Sequence, residues 1–218
     1  TTAQLQHRVE EIRASGHLGD TDAESAETLL ELIGALSVHD RLTRGHSERV
    51  RAYAQMIGEE MGLDAEDLDR LHWAGLVHDV GKLYVASEIL NKETRLTDDE
   101  YEAIKVHPVA GAELCAPLRA WLGPWLDAVG EHHERWDGKG YPNGLAGEQI
   151  SLGARIVAVA DVFDVITSAR SYKDPSTSVE AREELARCAG TQFDPQVVRA
   201  FLNVGLGRLR LVMGPLSW

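Results

Sequence analysis

The sequence predicts an all-α protein, a helical bundle with an N-terminal helical extension. Three observations carry that expectation. Apolar residues recur at helical spacing along nearly the whole chain. Helix-start signals, a capping Ser, Thr or Asp followed by Glu or by an N1 proline, punctuate the pattern. No segment shows convincing strand alternation, and there is no internal repeat or low-complexity tract.

The elements follow in order. Residues from about 2 to 14 carry Leu5, Val9 and Ile12 on one stripe, which ends at Gly16 and reads as a packing or pairing face. A helix over about 23–38 aligns Leu29, Leu32, Ile33 and Leu36. A third segment runs from Gly45 to Gly62, with Val50, Tyr53, Ala54 and Ile57 inward. A fourth starts at Ala65, carries Leu68, Leu71, Ala74 and Gly75, and leads into His78-Asp79. Thr97-Asp98-Asp99-Glu100 is a capping box opening a short helix that stops before Pro108. Helices over about 109–116 and 121–134 precede a turn-rich loop, Trp136 to Gly144. A strongly apolar helix runs from Gly153 to about Ala169. Thr177-Ser178-Val179-Glu180 caps the next helix, which ends at Gly190, and Asp194-Pro195 starts the last one.

With 218 residues and 44% hydrophobic content, the chain can build one sizeable core. The expected organisation is an N-terminal helix and linker over 1–22, a main domain over 23–205 and a C-terminal tail over 206–218. The chain begins at Thr1 without Met, so both ends read as boundaries cut from a longer protein. A net charge of −13 and the lack of a Lys/Arg block exclude a nucleic-acid polymer as partner. No apolar run approaches the roughly 18 residues a membrane span needs. No signal peptide is expected, and two cysteines, Cys115 and Cys188, make no disulfide framework, so the expected compartment is the reducing cytoplasm.

The chemistry concentrates in histidines and aspartates. Of nine histidines, His46, His78, His107, His132 and His133 fall at predicted helix ends or in apolar helices. His7, His17, His39 and His72 read as structural or surface residues. Asp161 lies inside the most hydrophobic helix, where an unpaired charge costs several kcal/mol; a metal ion or an arginine partner would remove that cost. Divalent iron, manganese, zinc and nickel accept imidazole and carboxylate together. A carboxylate between two histidine groups can bridge two such ions, an arrangement suited to phosphoryl displacement. Lys82, three residues beyond Asp79, shares its face if the helix continues, and Arg170 and Lys173 close the Asp161 helix with two more cations. Each residue alone has an ordinary reading, a solvated pair or a helix terminator; their joint occurrence points to a metal centre.

The motifs resemble the HD phosphohydrolase superfamily. Thr43-Arg44-Gly45-His46-Ser47 and His78-Asp79-Val80-Gly81-Lys82 carry that likeness, and His132-His133-Glu134-Arg135-Trp136-Asp137-Gly138-Lys139-Gly140-Tyr141-Pro142 is similar to the HD-GYP subfamily signature. Asp161-Val162-Phe163-Asp164 with Thr167, Ser168 and Arg170, and Gly190 to Pro195, fit the later segments, so the match runs from about residue 35 to 203. The resemblance implies an HD-domain helical fold and a phosphodiesterase that hydrolyses cyclic di-GMP, or cyclic GMP-AMP, to a linear dinucleotide or mononucleotides. It implies divalent ions, commonly iron or manganese, one held by His46, His78, Asp79 and Asp161 and the second by Asp79, His107, His132 and His133. Lys82, Arg170 and Lys173 match phosphate-contacting positions, and Tyr141 belongs to the loop governing substrate access. Asp79 and Lys82 would be the catalytic pair. Leu42 stands where some members carry a glutamate for a third ion, so two ions are expected. Ser171 replaces a usual proline, which loosens the turn fixing Lys173. The N-terminal helix would pair with a second copy or with other signalling domains. The rival readings are a non-catalytic nucleotide- or protein-binding signalling module, and a different metalloenzyme such as a di-iron oxygenase.

Overall fold

The computed structural model describes residues 7, 10–11, 14–15, 17, 19–40, 43, 45–168 and 176–213. The described residues form helices and turns with no strand; the only ladder-like pairs among them are the isolated bridges Asp137–Ala146 and Ala189–Phe193. The chain runs through α1 (Asp22–His39), α2 (His46–Glu60) and α3 (Ala65–Val77), then a 3-10 turn (Val80–Tyr84). Next come α4 (Ser87–Leu90), α5 (Asp98–Ile104) and α6 (His107–Leu114). After the short helices α7 (Arg119–Leu122) and α8 (Asp127–Glu131) and the turn-rich loop come α9 (Leu152–Thr167), α10 (Ser178–Arg187), α11 (Pro195–Asn203) and α12 (Leu206–Met213). No helix among the described residues is long and apolar enough to cross a membrane.

Local chemistry sets the helix starts. Both expected capping boxes form, Thr97 with Glu100 and Thr177 with Glu180. A third, Thr21 with Glu24, opens α1; its Thr-x-x-Glu spacing was available in the sequence. Asp194 caps α11 ahead of Pro195, and Gly45 takes φ +71° to start α2.

Two apolar clusters hold the helices together. One joins Val50, Tyr53 and Ile57 of α2 to Leu71 of α3, Ile156, Val157 and Phe163 of α9, and Val197 and Phe201 of α11. Phe163 stands edge-on to Tyr53 at 5.0 Å and tilts against Phe201 at 4.8 Å. The second joins Leu29, Leu32 and Leu36 of α1 to Val77, Val80 and Leu83, and to Leu114, Leu122 and Val129. The 3-10 turn packs on α6, and α9 packs on α2 and α8; α8 gives Ala128 to the first cluster and Val129 to the second.

Several expectations need adjusting. The 121–134 helix is broken, because Gly123 takes φ +55° and Pro124 follows it, leaving α7, a 3-10 turn and α8. The helix expected from 109 begins earlier, at His107, with Pro108 tolerated in its first turn. The helix carrying His78-Asp79 does not continue to Lys82: it ends at Val77 and tightens into the 3-10 turn. Residues 206–213, read as tail, carry α12, whose Leu209 is fully buried against the first cluster. Leu5, Val9 and Ile12 lie outside the described residues.

Candidate metal centre

Helix ends bring the donors together. His46 is the first residue of α2, and His107 is the first of α6. His78 follows the last residue of α3, and Asp79 stands between it and the 3-10 turn. His132 and His133 follow α8, while Asp161 projects from the middle of α9. All but His133 and Asp161 are buried.

Asp79 sits between two groups of imidazoles, and its two oxygens face different groups. Oδ2 lies 3.4 Å from His78 Nε2 and 3.7 Å from His46 Nε2. Oδ1 lies 3.3 Å from His107 Nε2 and 3.8 Å from His132 Nε2. Nε2 of His133 is 3.2 Å from His107 Nε2. The ligand atoms of Asp79, His107, His132 and His133 lie within 4.8 Å of one another, as do those of His46, His78 and Asp79. Asp161 Oδ1 borders the second set, 3.3 Å from His46 Nε2.

The outward ring nitrogens decide whether a cation fits. His78 Nδ1–H donates to the Gly75 carbonyl at 2.7 Å, His107 Nδ1–H to the Ile104 carbonyl at 2.7 Å, and His132 Nδ1–H to the Val129 carbonyl at 3.0 Å. A carbonyl can only accept, so in each neutral ring the lone pair is on Nε2, pointing inward. Nε2 of His107 and Nε2 of His132 are then 3.3 Å apart with no proton between them, and His78 Nε2 is buried without a hydrogen-bond partner. Lone pairs crowded around a buried carboxylate repel one another; a divalent cation satisfies them all. The residues fit a metal centre.

The family model described as HD domain matches residues 32–197, more than half of the chain. The chain belongs to the HD domain family. This HD domain is 38% identical over 208 residues to the cyclic di-GMP phosphodiesterase response regulator RpfG of Xanthomonas campestris, covering 95% of this chain and 55% of that protein. It is 36% identical over 185 residues to the 3'3'-cGAMP-specific phosphodiesterase 2 of Vibrio cholerae, covering 84% of this chain and 35% of that protein. The chain thus spans about half or less of the length of these curated relatives. Among solved structures, Bd1817, an HDG"Y"P protein from Bdellovibrio bacteriovorus, superposes with a TM-score of 0.59 at 15% identity, covering 93% of this chain and 69% of that one, a likeness of fold.

Around the HD centre, charges are set by burial and by neighbours. Burial opposes ionisation of Asp79, yet the Lys82 ammonium beside it holds its carboxyl well below the usual range. Burial also opposes a charge on His46, but hydrogen bonds to Asp161 and Asp164 raise it to about 9 in the metal-free chain. Burial and the neighbouring His107 ring lower His133 to about 4, and burial with the other rings holds His132 well below the usual imidazole value. His46 therefore competes with protons for its ion, whereas His132 and His133 resist protonation.

Lys82 Nζ donates to Asp79 Oδ2 at 2.7 Å and lies 3.6 Å from Asp40 Oδ2. The 3-10 turn achieves this contact, because residues i and i+3 eclipse there. A cleft of about 720 Å³ opens over the centre, lined by His46, Asp79, Lys82, His133, Tyr141 and Asp161 among others. Tyr141 stacks on His133, with centroids 4.8 Å apart and planes at 20°. Its loop is tied down on both sides. The buried Glu134 carboxylate accepts from Asn143 N–H at 2.6 Å and Leu145 N–H at 3.0 Å. Trp136 and Asp137 donate backbone N–H groups to the carbonyls of Gln192 and Thr191 at 3.1 and 2.8 Å.

The structure thus brings together His46, His78, Asp79, Lys82, His107, His132, His133, Tyr141 and Asp161. Arg170, Lys173, Ser171 and Leu42 lie outside the described residues. Sequence reasoning assigned no role to Asp40, Arg49, Glu134 or Asp164. The one available signal was for Asp164, a second carboxylate one turn beyond Asp161 in the same apolar helix.

Proposed function

We propose that the chain is the catalytic HD domain of a metal-dependent phosphodiesterase that hydrolyses a cyclic dinucleotide, cyclic di-GMP first and cyclic GMP-AMP second. The observation that carries this reading is the shared carboxylate: the two oxygens of Asp79 face separate imidazole groups on the floor of a cleft of about 720 Å³. The names of the relatives supply the substrate class, two of them cyclic di-GMP and 3'3'-cGAMP phosphodiesterases.

The proposed ligands are His46, His78, Asp79 and Asp161 for one ion, and Asp79, His107, His132 and His133 for another. Iron or manganese suits this mixed donor set, as do nickel and zinc. Such ions, when bound, supply Lewis acidity, making a water more acidic and offsetting charge at the phosphoryl group. The chain's own groups do the rest. Lys82 offers a fixed cation at the cleft floor for a phosphate oxygen, oriented by Asp79 and Asp40. Tyr141 offers an aromatic face at the cleft wall and shields the His133 side from water. Arg170 and Lys173 are proposed as further phosphate contacts. The catalytic unit is assigned to residues 23–205, with α12 packed onto its core, and to the cytoplasm. The N-terminal segment is assigned to pairing with a second copy or with other signalling domains.

The test is incubation of manganese- and iron-loaded protein with cyclic di-GMP and cyclic GMP-AMP, followed by product chromatography. A linear dinucleotide or mononucleotides are expected. No product from either substrate with either metal would overturn the reading.

A further inference from the structure

His46 differs from the other inward-facing rings in what holds it from behind. His78, His107 and His132 donate Nδ1–H to backbone carbonyls. His46 Nδ1–H donates to a carboxylate, Asp164 Oδ2, at 2.7 Å. A bond to an ionised acceptor is roughly twice as strong as one to a neutral carbonyl and makes the ring a better donor through its other nitrogen.

Asp164 is itself fixed. Arg49 grips it with Nε on Oδ1 at 2.6 Å and Nη2 on Oδ2 at 2.9 Å, a two-pronged contact. Ser168 Oγ donates to Oδ2 at 3.3 Å, and Asp164 is 1% exposed. The sequence spacing explains how the group assembles. His46 and Arg49 are three residues apart on α2, and Asp161 and Asp164 are three apart on α9, so each pair shares one helix face. Asp161 meets Nε2 of His46 at 3.3 Å while Asp164 meets Nδ1, so one helix holds both nitrogens of a single imidazole. Asp164 lies behind His46 and is not part of the cleft lining, so it reaches substrate only through the ring.

We propose that Asp164, clamped by Arg49, is a positioning residue for His46 that strengthens binding of the ion on the His46 side of Asp79 and leaves the His107 side unaffected. This rests on the two-ion reading above.

The experiment is calorimetric titration of the metal-free protein with Mn²⁺ alone, with thermal unfolding run alongside. His46→Ala and His107→Ala identify which binding phase belongs to each side. Asp164→Asn keeps the shape and removes the charge; compared as pH-independent affinities, corrected for the proton the ion displaces, it is expected to weaken the His46-side ion by about 10–100-fold and to leave the other phase at its wild-type affinity. Asp164→Glu restores the charge and is expected to recover part of the loss. Should Asp164→Asn fail to fold, Asp164→Glu carries the test, with a smaller loss at the same ion alone. Wild-type affinities for both ions in the Asp164 variants, or equal weakening of both, would overturn the proposal. A wild-type protein that takes up no Mn²⁺ would instead sink the two-ion reading on which it rests.

Discussion

Gly81→Ala should damage the protein without replacing any proposed ligand. The 3-10 turn crosses α6 so closely at Gly81 that an added Cβ would stand 1.9 Å from the His107 carbonyl oxygen, 2.5 Å from Gly111 N and 2.9 Å from Gly111 Cα. Carbon and oxygen settle at about 3.4 Å, so the two elements must separate by about 1.5 Å. All three obstacles are backbone atoms, and no rotamer change relieves them. Overpacking costs about 1–3 kcal/mol, and a clash with backbone belongs at the upper end. For a chain of this size about 3 kcal/mol lowers Tm by roughly 6–12 °C. The same separation pulls Asp79 and Lys82 on the turn away from His107 on α6, stretching the 3.3 Å contact between Asp79 Oδ1 and His107 Nε2. A misplacement of about 1 Å can cost roughly 10²-fold in turnover. Thermal unfolding and Mn²⁺ titration read both effects. Gly34→Ala is the control: a Cβ there meets nothing within 4 Å in mid-α1, so it should stabilise by about 0.5–1 kcal/mol. A Gly81→Ala protein with wild-type Tm and wild-type ion affinity would refute the close-approach reasoning.

Three further outcomes follow from the site. Lys82→Met removes the cation 2.7 Å from Asp79 while keeping the stem; bound metal should stay, and turnover should fall about 10²–10³-fold. Loss of metal with unchanged turnover per bound ion would make Lys82 structural instead. The raised His46 value, about 9, means that at neutral pH the metal-free ring carries a proton that an incoming ion must displace. Affinity on that side should therefore rise about tenfold per pH unit and level off above the His46 value, with about one proton released per ion at pH 7. Calorimetry in buffers of different ionisation enthalpy checks this, and a pH-independent affinity between about pH 6 and 8 contradicts it. Glu134→Ala leaves the Asn143 and Leu145 N–H groups without their acceptor, at a cost of about 1–3 kcal/mol each if they stay buried. Amide exchange in the 138–145 loop should quicken ahead of the rest of the domain; unchanged exchange there would show that the loop does not depend on Glu134.

What was legible in the sequence was the part governed by local pattern. Helical periodicity and two capping boxes located α5, α10 and most of the long helices, because caps and apolar stripes act within a few residues. The histidines and aspartates that cluster in the fold were legible as candidate donors, because imidazoles and a carboxylate amid apolar neighbours need a reason to be there. The geometry between distant segments was not legible. That Lys82 meets Asp79 through a 3-10 turn, and that α7 and α8 replace one helix, depend on how the chain packs after Gly123 and Val77. Asp164 was visible as a residue and silent as a function, because its partners His46 and Arg49 lie 118 and 115 positions away. Leu209 gives the same lesson, since an eight-residue helix near the end of the chain reads as tail until its burial is seen.

Asp79 is proposed as a carboxylate shared by two ions in a working phosphodiesterase. The direct measurement is metal content per chain by elemental analysis for the wild type and for Asp79→Ala, with cyclic di-GMP hydrolysis measured on the same samples. Two ions per chain and linear product are expected for the wild type; a folded Asp79→Ala protein should hold no ion and form no product. An Asp79→Ala protein that keeps its metal and its turnover would contradict the account.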